Sequence, residues 1–144
     1  KIKSDGYGVE LLESCYLELQ DMFDDFHVYM FGDFNARTAD GNYCFVDSDF
    51  SSSLVCTKSD FPRKSLDNNS NMFGEQLLEF CSMFDCLILN GLCEKGFDNS
   101  FTYISSSGCS VVDYFIISNE LYDNLNVVSL DVQNVTESDH LPVF

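Results

Sequence analysis

Residues Phe101–Ser118 read FTYISSSGCSVVDYFIIS. Two runs rich in β-branched and aromatic residues, Phe101–Ser105 and Cys109–Ile117, flank Ser106-Ser107-Gly108, which is the pattern of a β-hairpin. Asp113 interrupts the second run. A carboxylate left unpaired among such neighbours would cost several kcal/mol, so Asp113 demands a partner. Downstream, a short helix is expected around Asn119–Asn124, then a strand at Val127–Val132, then the polar triplet Ser138-Asp139-His140 before a strand-like ending. Upstream, Cys86–Asn90 (CLILN) reads as a buried strand closed by Asn90-Gly91. Before it, Asn71 caps a helix through Phe84 whose Phe73, Leu77, Phe80, Cys81 and Phe84 share one face.

The remaining N-terminal part repeats that grammar. Apolar residues at Leu12, Cys15, Tyr16, Leu19, Met22, Phe23 and Phe26 mark an amphipathic helix over Val9–Phe26. His27–Phe31 (HVYMF) is a short strand that stops at Gly32-Asp33. Asp40–Asn71 is rich in Ser, Asp and Asn and reads as a long surface loop, with one short strand expected at Tyr43–Val46. Helices and strands interleave, but the chain ends in β-structure with a hairpin. The expected class is therefore α/β (α+β), a layered sandwich rather than a parallel doubly wound sheet.

Composition narrows the function. The chain has 144 residues, 45% of them hydrophobic and 15% aromatic, enough for one folded domain with a real core. No apolar run approaches the roughly 20 residues of a membrane span, so no membrane partner is expected. Lys1-Ile2-Lys3-Ser4 opens no signal peptide. The 24 acidic and 7 basic residues give a net charge of −17, which repels nucleic acid unless metal ions or another segment supply positive charge. Lys58, Arg63 and Lys64 form the one local basic stretch. Seven cysteines, with no CxxC and only two histidines, do not make a zinc site; they read as buried free thiols in a reducing compartment. The sequons at Asn68 and Asn134 carry little weight without a secretory signal.

Three clusters place polar groups beside a strand. In Gly32-Asp33-Phe34-Asn35-Ala36-Arg37, a carboxylate and an amide two residues apart can aim at one point. In Ser110-Val111-Val112-Asp113-Tyr114, Asp113 needs a partner, and a structural salt bridge would also serve. In Ser138-Asp139-His140-Leu141-Pro142-Val143, His140 is a candidate general acid or base, and Asp113 is the natural group to orient it. Gly108-Cys109-Ser110 lacks the second glycine of a nucleophile elbow, and no phosphate-cradling glycine loop occurs.

Taken together, G-D-F-N, S-x-x-D-Y and a terminal S-D-H-x-P-V resemble the endonuclease/exonuclease/phosphatase superfamily. The phrases GDFNART, LILNG, FTYISSSGCSVVDYFIIS and SDHLPV are most similar to the endonuclease domain of non-long-terminal-repeat retrotransposons. The resemblance runs from about residue 8 to residue 144 and corresponds to the later part of the family domain. The family's early Asn and Glu, which help hold the metal, and its later Tyr and His have no counterpart before Gly32. Glu10, Glu13 and Glu18 read as the solvated face of the first helix. The expected architecture is thus part of a four-layer α/β sandwich of the deoxyribonuclease-like type, over residues 1–144, with the N-terminal strands missing.

The resemblance implies roles. Asp33 and Asn35 would position or deprotonate the attacking water, Asp139 would lie at the metal, and His140 paired with Asp113 would contact the scissile phosphate. The implied cofactor is Mg²⁺, or Mn²⁺ in its place, a hard cation that takes carboxylate oxygens. Arg37 could reach a phosphate or form a surface ion pair. Lys58, Arg63 and Lys64 could face DNA, and Ser105–Ser107 could face the substrate. The implied partners are DNA and a reverse transcriptase domain in the same polyprotein, acting in the nucleus, with little activity in the isolated chain. Two further readings stand beside it: a superfamily phosphatase or phosphodiesterase for a small phosphorylated molecule, lipid or RNA, and a non-catalytic remnant.

Overall fold

The computed structural model describes residues 7–22, 26–42, 62–92, 97–122, 124, 131–133, 138–141 and 143. In chain order the elements are α1 (Tyr7–Met22), β1 (Tyr29–Asp33), α2 (Met72–Met83), β2 (Cys86–Ile88), β3 (Tyr103–Ser105), β4 (Gly108–Ser110) and β5 (Asp113–Ser118), followed by a 3₁₀ turn at Asn119–Leu121. The architecture is mixed α+β. A three-stranded antiparallel sheet runs in the order β1-β5-β2, and β3 and β4 form a separate antiparallel hairpin. No helix among the described residues is long and apolar enough to cross a membrane.

Why α2 forms where it does is plain from its ends and its stripe. The Asn71 side chain accepts from the Gly74 amide and satisfies one orphan donor of the first turn. Leu77, Leu78, Phe80 and Cys81 are buried against Tyr114 and Ile116 of β5 and Cys86 and Ile88 of β2. Each fully buried aliphatic or aromatic side chain there contributes about 1.5–3 kcal/mol. The opposite face of the sheet carries a second cluster, with Leu87, Leu89, Leu92, Phe97, Ile117 and Tyr122 buried together. A sheet that is apolar on both faces must be covered on both.

Three expectations are corrected. The first helix ends at Met22 rather than Phe26, and among the described residues of the helix only Leu12 and Tyr16 of its stripe pack on the core; Leu11, Leu19 and Met22 are exposed. The reason is a narrow contact that uses one edge of the stripe: the Tyr16 ring packs on Phe84 with centroids 4.1 Å apart and meets Phe80 edge-on at 6.1 Å. Second, Cys109–Ile117 is not one strand. Its ladder breaks at Val111-Val112, because the Asp67 carboxylate takes the Val111 amide at 3.1 Å and the Thr102 hydroxyl takes those of Val112 and Asp113, each at 3.0 Å. Third, the free thiols are not uniformly buried: Cys81 and Cys86 are, whereas Cys15 and Cys109 are exposed. Burial pushes the Cys86 thiol up to about 12 and raises that of Cys81 as well. The strand expected at Tyr43–Val46, most of that at Val127–Val132, and Cys44, Cys56, Cys93 and Lys58 lie outside the described residues.

Candidate functional site

Antiparallel register makes the site. In the β1–β5 pair Asp33 stands directly opposite Asp113, so two carboxylates from positions 80 apart in sequence share one face at the end of the sheet. Like charges so placed repel unless a positive group lies between them. His140 supplies it. Its Nδ1 lies 3.1 Å from both Oδ1 and Oδ2 of Asp113, and its Nε2 lies 3.8 Å from Oδ2 of Asp33. Ligand atoms of the three residues all fall within 4.8 Å of one another.

His140 reaches this position through backbone pairing. It bridges to Tyr103 of β3, and the flanking bonds run from the Ile104 amide to the Asp139 carbonyl at 2.8 Å and from the Leu141 amide to the Thr102 carbonyl at 2.6 Å. The Tyr103 ring packs on the imidazole with centroids 4.9 Å apart. Desolvation works against the imidazolium, but the Asp113 hydrogen bond and the charges of Asp113, Asp33 and Asp139 outweigh it and hold His140 above its ordinary value. The site is half open: the His140 side chain is 39% exposed and that of Asp113 15%.

On the other strand, Gly32 adopts φ 138° and Asn35 φ 51°. Both are left-handed values, tolerated by glycine and asparagine better than by other residues. They turn the chain so that the Asn35 amide returns to Asp33, with Asn35 N donating to Oδ1 at 2.8 Å and Nδ2 to Oδ2 at 3.3 Å. The expected carboxylate–amide pair is therefore formed. Asp33, Asn35, Asp113 and His140 come together in one constellation. Asp139 is exposed and lies outside the three-residue group, although its charge acts on His140.

Two cations are placed differently from the expectation. Arg37 takes the ion-pair alternative, and not at the surface: Nε and Nη2 bond the buried Asp67 carboxylate at 2.7 and 2.6 Å. Arg63 does not face outward at all. It is buried, donating to the Asn90 carbonyl at 2.7 Å, to Thr38 Oγ1 at 3.2 Å and to the Gly41 carbonyl, beneath the Tyr114 ring. Burial lowers its pKa, while the nearby Tyr114, Cys81 and Asp40 act in the opposite direction. Lys64 is exposed. Ser105 and Ser107 sit in the exposed turn between β3 and β4, their hydroxyls 2.8 Å apart.

Sequence reasoning missed the supports. Thr102, fully buried, holds the Asp113 amide through its hydroxyl and the His140 segment through its carbonyl. Asn90 brackets Asp113 by donating to its carbonyl at 3.1 Å and accepting from Phe115 N at 2.9 Å. Thr102 looked like one more strand former, and Asn90 looked like a turn residue. The demand that the Asp113 carboxylate be satisfied pointed to His140, and no signal in the sequence pointed to these backbone partners.

No protein-family model, curated protein or solved structure matches this chain.

Proposed function

We propose that the chain carries a Mg²⁺-dependent phosphodiester-hydrolysing site, of the kind used by retroelement DNA endonucleases within the endonuclease/exonuclease/phosphatase superfamily, and that its sheet and helices are part of a four-layer deoxyribonuclease-like sandwich. The observation that carries the reading is the in-register Asp33–Asp113 pair bridged by His140. The donor set suits a hard cation in part: Asp139 is an exposed carboxylate whose charge acts on His140 and would hold Mg²⁺ or Mn²⁺, with the exposed Asp33 carboxylate adding negative charge across the imidazole. Bound there, the cation would neutralise the phosphate and the charge that develops during in-line attack.

The chain's own groups divide the remaining work. Asp33, with its orientation fixed by Asn35, is the acceptor for a proton from the attacking water. His140, whose protonated form Asp113 favours, would offer a ring N–H to a non-bridging phosphate oxygen. Asp113 orients the ring and balances its charge. DNA as substrate, a reverse transcriptase domain in the same polyprotein and a nuclear site of action belong to the same proposal.

A second reading keeps the chemistry and changes the substrate to a small phosphorylated molecule, lipid or RNA. The net charge of −17 favours it over DNA. Side-by-side assays of supercoiled plasmid and inositol polyphosphates, each with Mg²⁺ or chelator, separate the two. Nicking without phosphate release supports the endonuclease, and the reverse supports the small-molecule enzyme. A calorimetric Mg²⁺ response lost in Asp33→Ala or Asp139→Ala counts against a non-catalytic remnant; a wild-type chain with no response supports the remnant.

A further inference from the structure

We propose that Asn71 is a positioning residue for the Asp33–Asn35 corner and does more than cap α2; the inference rests on the hydrolytic reading of that corner. Capping needs one acceptor, and Asn71 Oδ1 supplies it to the Gly74 amide at 2.8 Å. The Asn71 carbonyl accepts the first intrahelical bond from Glu75 N at 3.0 Å, and the same residue makes three more bonds to the chain just after Asp33. Its Oδ1 also accepts from Arg37 N at 3.0 Å, its Nδ2 donates to the Asn35 carbonyl at 3.2 Å, and its backbone N donates to the Arg37 carbonyl at 3.0 Å. None of these is needed to start a helix. Together they hold Asn35 in its φ 51° conformation, the one that returns its side chain to Asp33.

A second observation points the same way. A Cβ built on Gly74 would lie 1.8 Å from the Arg37 carbonyl oxygen, so the first turn of α2 is pressed directly onto this loop. The loop is pinned from its far side too, because Arg37 is paired with Asp67, which also takes the Val111 amide two residues before Asp113. Helix start, corner and β5 entrance thus form one hydrogen-bonded frame. Asn71 is the member whose side chain touches both the helix and Asn35.

Asp and Ser cap helices about as well as Asn, but an ionised Asp has no donor for the Asn35 carbonyl, and Ser has a single oxygen on a shorter side chain to stand in for both Oδ1 and Nδ2. Asn71→Asp and Asn71→Ser therefore separate the two roles. The measurement combines thermal melting, the NMR signals of the Asn35 side-chain amide, and Mg²⁺-dependent hydrolysis of plasmid DNA. Expected are matched melts, Asn35 amide signals that move toward those of a free side chain, and kcat lower by about tenfold with KM held. Unchanged Asn35 signals and kcat in both variants would overturn the proposal, as would a loss of activity that merely follows a loss of melting temperature. If the wild type hydrolyses nothing, the functional reading fails, and the NMR comparison still decides whether Asn71 sets the Asn35 geometry.

Discussion

His140 places both ring nitrogens toward carboxylates, and this gives the site an asymmetry that mutation can read. Asp113 holds Nδ1 at hydrogen-bond distance, whereas Asp33 lies 3.8 Å from Nε2, so that on the proposed reading Nε2 is the nitrogen left to turn to a substrate oxygen. His140→Ala should lower hydrolysis by about 10²-fold or more and also lower the melt, since it leaves Asp113 without its partner opposite Asp33; steady-state assays at a temperature where both proteins are folded, beside calorimetry, check both. Asp67 behaves in the opposite way. Burial would raise its pKa, but hydrogen bonds from Arg37, Asn69 and Val111 hold it below the usual carboxylate value of about 3.9. A depressed native pKa adds stability that is fully present above the unfolded value and disappears as pH falls through the native one. Asp67→Asn should cost about 2–3 kcal/mol near neutrality and flatten the acid limb, as urea midpoints measured across pH will show. Of the site residues, Asp113 was legible because it interrupts a strand pattern, and Asp33, Asn35 and His140 because they lie in polar clusters beside strands. Asp67 was not, since one more aspartate in a polar loop carries no periodic signal. Its partner Arg37 was readable only as two alternatives.

At the level of elements, the close approach of α2 to the loop after β1 makes Gly74 indispensable. Gly74→Ala forces a clash with the Arg37 carbonyl, and the helix-propensity gain of about 1 kcal/mol cannot offset it. We expect a net loss of about 2 kcal/mol or more, against Gly8→Ala in α1, where nothing lies within 4 Å and the change should be neutral or stabilising. Paired thermal melts test the contrast. Elements with strong local signals were legible: α2 with its Asn71 cap, the buried strand after Phe84, and the β3–β4 turn all fall where periodicity and turn chemistry put them. What sequence could not give was the break at Val111-Val112. Both valines favour strand, and the groups that take their amides, Asp67 and Thr102, come from 44 and 10 residues away. A tertiary hydrogen bond overrides propensity without leaving a trace in local pattern.

Across the whole molecule, β1 is the exposed flank of the sheet. It pairs only with β5 among the described strands, and its Tyr29 and Phe31 are 53% and 77% exposed. An edge carrying aromatic residues and no charge between Tyr29 and Gly32 invites pairing with another chain. Self-association at high concentration is the expected outcome, relieved in Phe31→Lys with the melt retained; sedimentation velocity distinguishes this from a wild type that stays monomeric. The net charge of −17 acts against both self-association and DNA binding, so any action on DNA should require the divalent cation for approach as well as for chemistry. The most direct test of the central claim is nicking of supercoiled plasmid by the wild-type chain and by His140→Ala, each with Mg²⁺ and with chelator. The hydrolytic account predicts slow nicking by the wild type that needs Mg²⁺ and vanishes in the variant. Equal nicking by both proteins, or none by the wild type above the chelated control, would contradict it.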